Sequence, residues 1–433
     1  MINVTTITDF PRYKHRGFLL DTSRHFIPIP IILKHLDAMA YNKFNVFHWH
    51  LVDHQAFAFV SKTYPELSEK GAYHPELKVY KPDDVSRVIF YARLRGIRVI
   101  PEFDTPGHME SWGRSHPEII TMCYENGQPF GRLGTINPIK NESYRFVENL
   151  FREVIDVFQD EFVHLGADEV TYDCWASNPE IQEWMTDRGW DGDYSTLEEF
   201  YQTKLFQIIT DLKAKYIIWQ DPIDNNVTVN PDTIVQVWKD PSLDPILPPY
   251  REGLEKVTKL GLKTILSAPW YLNYISYGPD WKKFYETDPE DFQGTEEQKE
   301  LLIGGEACMW AEYVDGGNII ARIWPRAAAV AERLWSAKDV RDIDMANVRL
   351  DQQRCRMVSY DFVLTTNAKT SIYCMFSMDP KKHNILTMQP QYYGTGSASE
   401  DMKGGCSYSI PVPPTSFTNI KEFLLWIHIH WIP

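Results

Sequence analysis

The chain has 433 residues and a formal net charge of −15, a balance that repels phosphate backbones and argues against a nucleic-acid partner. Hydrophobic residues make up 43%, enough for a large core, yet no apolar run reaches the roughly 18 residues of a membrane span. Aromatic content is 14%, with 14 Trp and 23 Tyr; Trp-rich concave sites hold the apolar face of a sugar, although an aromatic-rich core gives the same composition.

In chain order, residues 1–15 form a lead-in without the basic region and apolar run of a signal peptide. Apolar, β-rich runs follow at 17–24, 44–53, 98–108, 162–169, 216–221, 233–239, 263–271 and 303–310. Helical spacing marks 28–42, 82–95, 142–158, 197–214, 251–260, 322–335 and 344–357. Strands alternating with helices imply parallel βαβ units, and eight strands predict an α/β fold, a (β/α)8 TIM barrel over 16–357. Residues 358–433 lose sustained period and include Pro411-Val412-Pro413-Pro414, which forms neither helix nor central strand. This tail is expected to be irregular and loosely attached.

A barrel of this kind carries its chemistry at the C-terminal ends of its strands. Those ends are rich in polar and aromatic groups: Asp21 and Arg24; His48, His50 and Asp53; Asp104 and His108; Asp168 and Glu169. The later ends add Trp219, Trp238, Trp270 with Tyr271, and Trp310 with Glu312. Any one of them alone reads as a satisfied core residue or a helix cap. Their gathering at successive strand ends reads as a site.

The adjacent carboxylates of Gly166-Ala167-Asp168-Glu169-Val170 are the most telling. Two-carboxylate glycosidases hold their acids about 5–5.5 Å or about 6.5–9.5 Å apart across a sugar ring. Consecutive residues on a strand alternate faces and are badly placed for that. A division of labour fits better, with Glu169 as proton donor and Asp168 holding another part of the substrate.

A metal-dependent barrel is the rival suggested by His48-Trp49-His50, but it requires further histidines from later strands. After His164 the next histidine is His383, in the tail. Six cysteines occur, at 123, 174, 308, 355, 374 and 406, with no CxxC motif, and their spacing alone does not reveal a pairing. Asn3, Asn141 and Asn226 head N-glycosylation triplets, a weak sign of a secretory route.

Read together, these segments resemble the animal β-N-acetylhexosaminidases of glycoside hydrolase family 20. The likeness covers about residues 8–357 and is carried by the stretches 16–25, 45–53 and 101–108 and by His164-Leu165-Gly166-Ala167-Asp168-Glu169. It continues through Val237-Trp238, Ser267-Ala268-Pro269-Trp270-Tyr271 and the stretch 304–310. The resemblance implies removal of terminal β-linked N-acetylglucosamine or N-acetylgalactosamine from glycans, without cofactor or metal. The implied mechanism is substrate-assisted: the 2-acetamido oxygen attacks C1, and water opens the resulting oxazolinium ion with net retention.

By the same resemblance Glu169 is the general acid/base, Asp168 orients the acetamido N–H, and Tyr271 bonds the acetamido oxygen. His108 contacts Glu169 and Asp53 orients His108. Arg24 and Glu312 hold the sugar hydroxyls, with Asp104 beside them. Trp219, Trp238 and Trp310 wall the sugar pocket, with Trp270 near it. Cys123–Cys174 is implied as a disulfide, with Cys355–Cys374 as a weaker candidate and Cys308 free. A lysosomal or secreted location and a homodimer follow from the family.

The chain departs from the family pattern in places. Ala167 stands where a second Gly is common, and His54 where many relatives carry an acid. Asn273 replaces an acid found in some members near O4 and O6, a change expected to tolerate a 6-sulfate, with Tyr274 next to it instead of Arg. The signal peptide and the small domain that precede the barrel in animal relatives have no counterpart here, so a shortened chain is expected, and its tail does not follow the family. A sugar-binding protein that kept the barrel without turnover is the alternative function.

Overall fold

A computed structural model of the protein describes residues 6–276 and 278–359. Ten strands are present among them. They are β1 His15–Asp21, β2 Val46–Val52, β3 Arg98–Phe103, β4 Ile120–Glu125 and β5 Gln128–Ile136. The rest are β6 Phe162–His164, β7 Lys215–Trp219, β8 Ile234–Val237, β9 Lys263–Leu266 and β10 Leu302–Met309. Eight of them close a parallel barrel in the order β1-β10-β9-β8-β7-β6-β3-β2. The predicted (β/α)8 barrel is therefore observed, each predicted run overlapping one barrel strand.

Three strands, β3, β6 and β9, stop five residues earlier than the predicted runs. β3 ends at Phe103 and β6 at His164, so His108 and the Asp168-Glu169 pair stand on loops beyond the pleat. The β4–β5 hairpin was not expected. Its turn signal is in the sequence: Asn126-Gly127, both at positive φ (51° and 74°), supplies the left-handed pair of a tight hairpin. Cys123 in β4 is bonded to Cys174 in the helix Asp173–Ser177, as the resemblance implies, and Cys308 is buried and unbridged. Cys374, Cys406 and Asn3 lie outside the described residues; Asn141 and Asn226 are exposed.

Alternation within the strands sorts two cores. Phe47 and Trp49 of β2 face the helical layer, where amphipathic helices such as Asn141–Phe158 add Phe146, Val147, Leu150, Phe151 and Val154. His48 and His50 alternate with them and point into the barrel, joining Glu102 of β3. The barrel interior is layered. Val46, Ile100, Ile217, Ile234 and Ile265 form an apolar plug. The next inward residues along the strands are polar and buried: His48, Glu102, His164, Gln236, Ser267 and Glu306. Above them Leu19, Trp219, Tyr271, Cys308 and Trp310 form a largely aromatic floor toward the C-terminal ends.

Gly305 lets β10 pack between its neighbours: a Cβ there would lie 2.3 Å from the Trp270 ring and 2.7 Å from the Leu266 carbonyl. Neither partner can swing aside. Gly305→Ala is expected to destabilise the barrel by about 1–3 kcal/mol, read as a lower denaturant midpoint at unchanged slope.

Candidate active site

The loop after β6 leaves the pleat through three residues at positive φ, Gly166 (66°), Ala167 (73°) and Glu169 (50°). Glycine is required at 166 twice over, since a Cβ would fall 1.9 Å from Asp104 Oδ1. Asp104 Oδ1 accepts the Ala167 N–H at 3.0 Å, and the Gly166 carbonyl accepts the Trp219 N–H at 2.9 Å. Asp221 Oδ1 accepts the Glu169 N–H at 3.4 Å. These contacts turn the two adjacent carboxylates into different surroundings: the Asp168 side chain is 13% exposed and that of Glu169 60%.

Both carboxylates meet one imidazole. His108 Nε2 lies 3.7 Å from Asp168 Oδ2 and 3.6 Å from Glu169 Oε2. Its Nδ1 lies 3.0 Å from Asp53 Oδ1, and Asp53 Oδ2 also pairs with Arg24 at 2.8 Å and His50 at 2.9 Å. Burial works against the charge on His108, but Asp53, Asp104 and Asp168 outweigh it and hold the imidazole well above its ordinary range. Asp53 is buried too, yet Arg24 and His108 hold its carboxyl well below the ordinary range.

The neighbouring acids are driven apart. Burial pushes Asp168 up to about 7 against the pull of His108, with Asp221, Glu102 and Glu169 adding to the rise. Contact with His108 lowers Glu169 against a smaller burial effect. Asp104 is pushed well above its ordinary range by burial first and Asp168 second. The shifts of the adjacent Asp168 and Glu169 carboxyls thus run in opposite directions, so their surroundings separate them chemically.

Around them stands an aromatic and polar rim. Arg24 lies over the Trp310 ring at 4.8 Å, and Trp310 lies 5.9 Å from Trp219 and 6.3 Å from Tyr271. Burial raises the Tyr271 hydroxyl well above its usual range, keeping it a proton-bearing donor. The half-buried Trp238 donates Nε1 to Asp221 at 2.8 Å. Glu312 is exposed, and its carboxyl is raised by burial and lowered by Arg24. Asn273 Oδ1 is buried without a hydrogen-bond partner among the described residues, and Tyr274 lies 6.1 Å from Tyr271.

Two expected substrate contacts are corrected. Trp270 is fully buried in the main core and donates Nε1 to the Phe284 carbonyl at 3.0 Å. The turn after β9 sends Tyr271 to the rim and its neighbour to the helical layer. Asp104 is also buried, beneath the loop it supports. Asp221, which braces both Glu169 and Trp238, was missed: an acid ending an apolar run gives no sign of what it bonds.

Imidazole and carboxylate atoms close enough for a shared cation occur as His48–Glu102–His164, Asp53–Asp104–His108, His108–Asp168–Glu169 and Glu102–Asp104–Asp168. In the first set Glu102 already accepts from Trp219 at 2.8 Å, and both His48 nitrogens lie 2.9 Å from carboxylates.

A parallel barrel whose strand ends gather paired acids, a relay imidazole and a tryptophan wall has the layout of a barrel-type glycoside hydrolase. The chain belongs to glycosyl hydrolase family 20, whose catalytic domain matches residues 13–338. It is 54% identical to the human beta-hexosaminidase subunit beta over 357 residues, 82% of this chain and 63% of that protein. It is 52% identical to the Bos taurus beta-hexosaminidase subunit alpha, covering 82% of this chain and 67% of the relative. The structure resembles a Flavobacterium johnsoniae chitobiase with a TM-score of 0.73 at 30% identity, covering 84% of this chain and 54% of that one. The chain thus spans 63% and 67% of the length of these two curated relatives and 54% of the chitobiase.

The raised Asp168 carboxyl carries a stability consequence. A folded value of about 7 against an unfolded one near 4 means the folded state binds this proton more tightly. The stability it contributes is complete below about pH 4 and is lost as pH rises through 7. Asp168→Asn is expected to melt about 3–8 °C above wild type at pH 8, with the gap closing by pH 4, in paired thermal melts.

Proposed function

We propose that the chain is a β-N-acetylhexosaminidase, removing terminal β-linked N-acetylglucosamine or N-acetylgalactosamine by a retaining, substrate-assisted mechanism. The carrying observation is that Asp168 and Glu169 share His108 Nε2 at 3.7 and 3.6 Å yet differ in exposure, 13% against 60%. Carboxylates gathered on one imidazole support a reading in which both act from the same side and the sugar supplies the nucleophile. The curated relatives, named as beta-hexosaminidase subunits, agree with a substrate that carries its own acetamido group.

Each residue has a defined task in this reading. Glu169 faces solvent, where the leaving group departs; docking of the aglycone strips its water, raises its proton affinity and makes it a competent acid. Once the bond has broken, the same carboxylate takes a proton from the water that opens the oxazolinium ion. Asp168, shielded beside the imidazole, accepts the acetamido N–H and offsets the positive charge that develops on ring closure. Tyr271 donates to the acetamido oxygen and aligns it with C1. Trp219, Trp238 and Trp310 hold the sugar and its acetamido group, while Arg24 and Glu312 bind ring hydroxyls. The Cys123–Cys174 disulfide fits a lysosomal or secreted location.

Glu169→Gln is expected to lower kcat by about 10²–10⁴ on natural glycosides and much less on aryl glycosides with good leaving groups. Asp168→Asn should slow both kinds. Equal losses across leaving groups for Glu169→Gln would sink the acid assignment. Wild-type protein that binds N-acetylglucosamine without turnover would make it a sugar-binding protein instead.

Asn273 places a neutral amide where an acid would repel an anionic sugar. Hydrolysis of a 6-sulfated N-acetylglucosaminide is expected within about tenfold of the neutral substrate in kcat/KM, and Asn273→Asp should suppress the sulfated reaction selectively. A wild-type profile restricted to neutral sugars would contradict this.

A further inference from the structure

The polar belt inside the barrel has no place in the chemistry above, although it is continuous with the site. Glu102 Oε2 lies 2.6 Å from His50 Nδ1, and His50 Nε2 lies 2.9 Å from Asp53 Oδ2. Asp53 Oδ1 lies 3.0 Å from His108 Nδ1, whose other nitrogen meets Glu169. Both His50 nitrogens are hydrogen-bonded, while His108 bonds Asp53 through Nδ1 and faces Glu169 across 3.6 Å with Nε2, an ion-pair distance. From this geometry we propose that Glu102 and His50 are positioning residues that set the protonation of Glu169 through the file Glu102–His50–Asp53–His108. The inference rests on the proposed acid/base role of Glu169.

Glu102 is built to remain an anion. His48 Nε2 (2.9 Å), His164 Nδ1 (3.2 Å) and the Trp219 indole (2.8 Å) face it besides His50. Its carboxyl is held well below the ordinary range because His50, His164 and His48 together outweigh burial. His50 is raised well above its range, Glu102 and Asp53 outweighing burial in turn. Charges of alternating sign therefore run from the barrel interior to the rim. Glu306 extends the array beyond His48, with His15 2.6 Å from its other oxygen.

Other charges face the file and define what it must overcome. Asp104 and Asp168 lie close enough to Glu102 for its charge to raise both. At the rim Arg24 acts on Asp53, and His54 stacks near His108 at a ring distance of 4.8 Å. Glu102, His50 and Asp53 are at most 1% exposed, so solvent does not screen the links between them. A structural belt alone would also show these contacts, and only titration behaviour separates the two.

Removing the Glu102 charge releases the proton of His50. The field of Asp53 is then less countered, so His108 and Glu169 hold their protons to higher pH. Glu102→Gln and His50→Gln should each move the alkaline limb of kcat/KM upward by about half a pH unit or more, with KM little changed. The double variant should move it no further than either single one, because both break one link. Glu102→Asp, which keeps the charge, should restore the wild-type limb.

The Glu169 carboxyl resonance of carboxyl-labelled protein, assigned with Glu169→Gln, gives the same displacement without turnover. An inactive wild type would therefore refute the proposed function while the relay is still judged on that resonance. Either Gln variant suffices if the other does not fold. A lowered melting temperature with an unmoved limb and an unmoved Glu169 titration overturns the proposal. So does an equal displacement in Glu102→Asp, which would trace to altered packing.

Discussion

A charge inside a closed barrel must be met by an opposite charge or a hydrogen-bond donor, because no water reaches it to share the cost. This fold puts Glu102 and Glu306 into that interior, and much else follows. Each carboxylate is surrounded by imidazoles, His48 and His50 each span two acids, and the array ends at His108. The belt fixes the ring orientations from below. His108 therefore reaches the loop after β6 with one nitrogen already taken by Asp53 and the other turned toward Asp168 and Glu169.

The second device is backbone conformation. Positive φ at Gly166, Ala167 and Glu169 lifts the loop off the end of β6 and gives neighbouring side chains independent directions. Ala167 adopts this region at φ 73° although it carries a Cβ, which is disfavoured by roughly a kcal/mol compared with glycine. Asp104 offsets the strain by accepting its N–H. Buried Asp104 holds a backbone amide, a structural role on which the separation of the two carboxylates depends.

The consequence is a site divided by solvent exposure. Asp168 is shielded and its proton affinity raised; Glu169 is open and its carboxylate favoured until a ligand displaces its water. Disposing adjacent residues this way requires the hairpin side as well. The Cys123–Cys174 bond and the Trp175 indole, which donates to the Ile136 carbonyl at 3.0 Å, pin the segment following Glu169 to β4 and β5.

The eight barrel strands, the barrel class and the acidic pair were legible in the sequence, because period-2 and period-3.6 patterns report burial directly. So were the groups at the strand ends, since a barrel places consecutive strand termini on one rim. Partnership was not legible. Trp270 and Tyr271 are neighbours in sequence, and only the turn after β9 sends one to the core and the other to the rim. Asp104 looks like a lining acid until its backbone partner is seen, and Asp221 goes unnoticed until its bonds to Glu169 and Trp238 appear. His48 and His50 suggest a metal pair until Glu102 and Glu306 are found beside them, brought from strands 52 or more residues away. Local pattern fixes which face a residue takes; which charge meets which depends on barrel closure, and closure is a property of the whole chain.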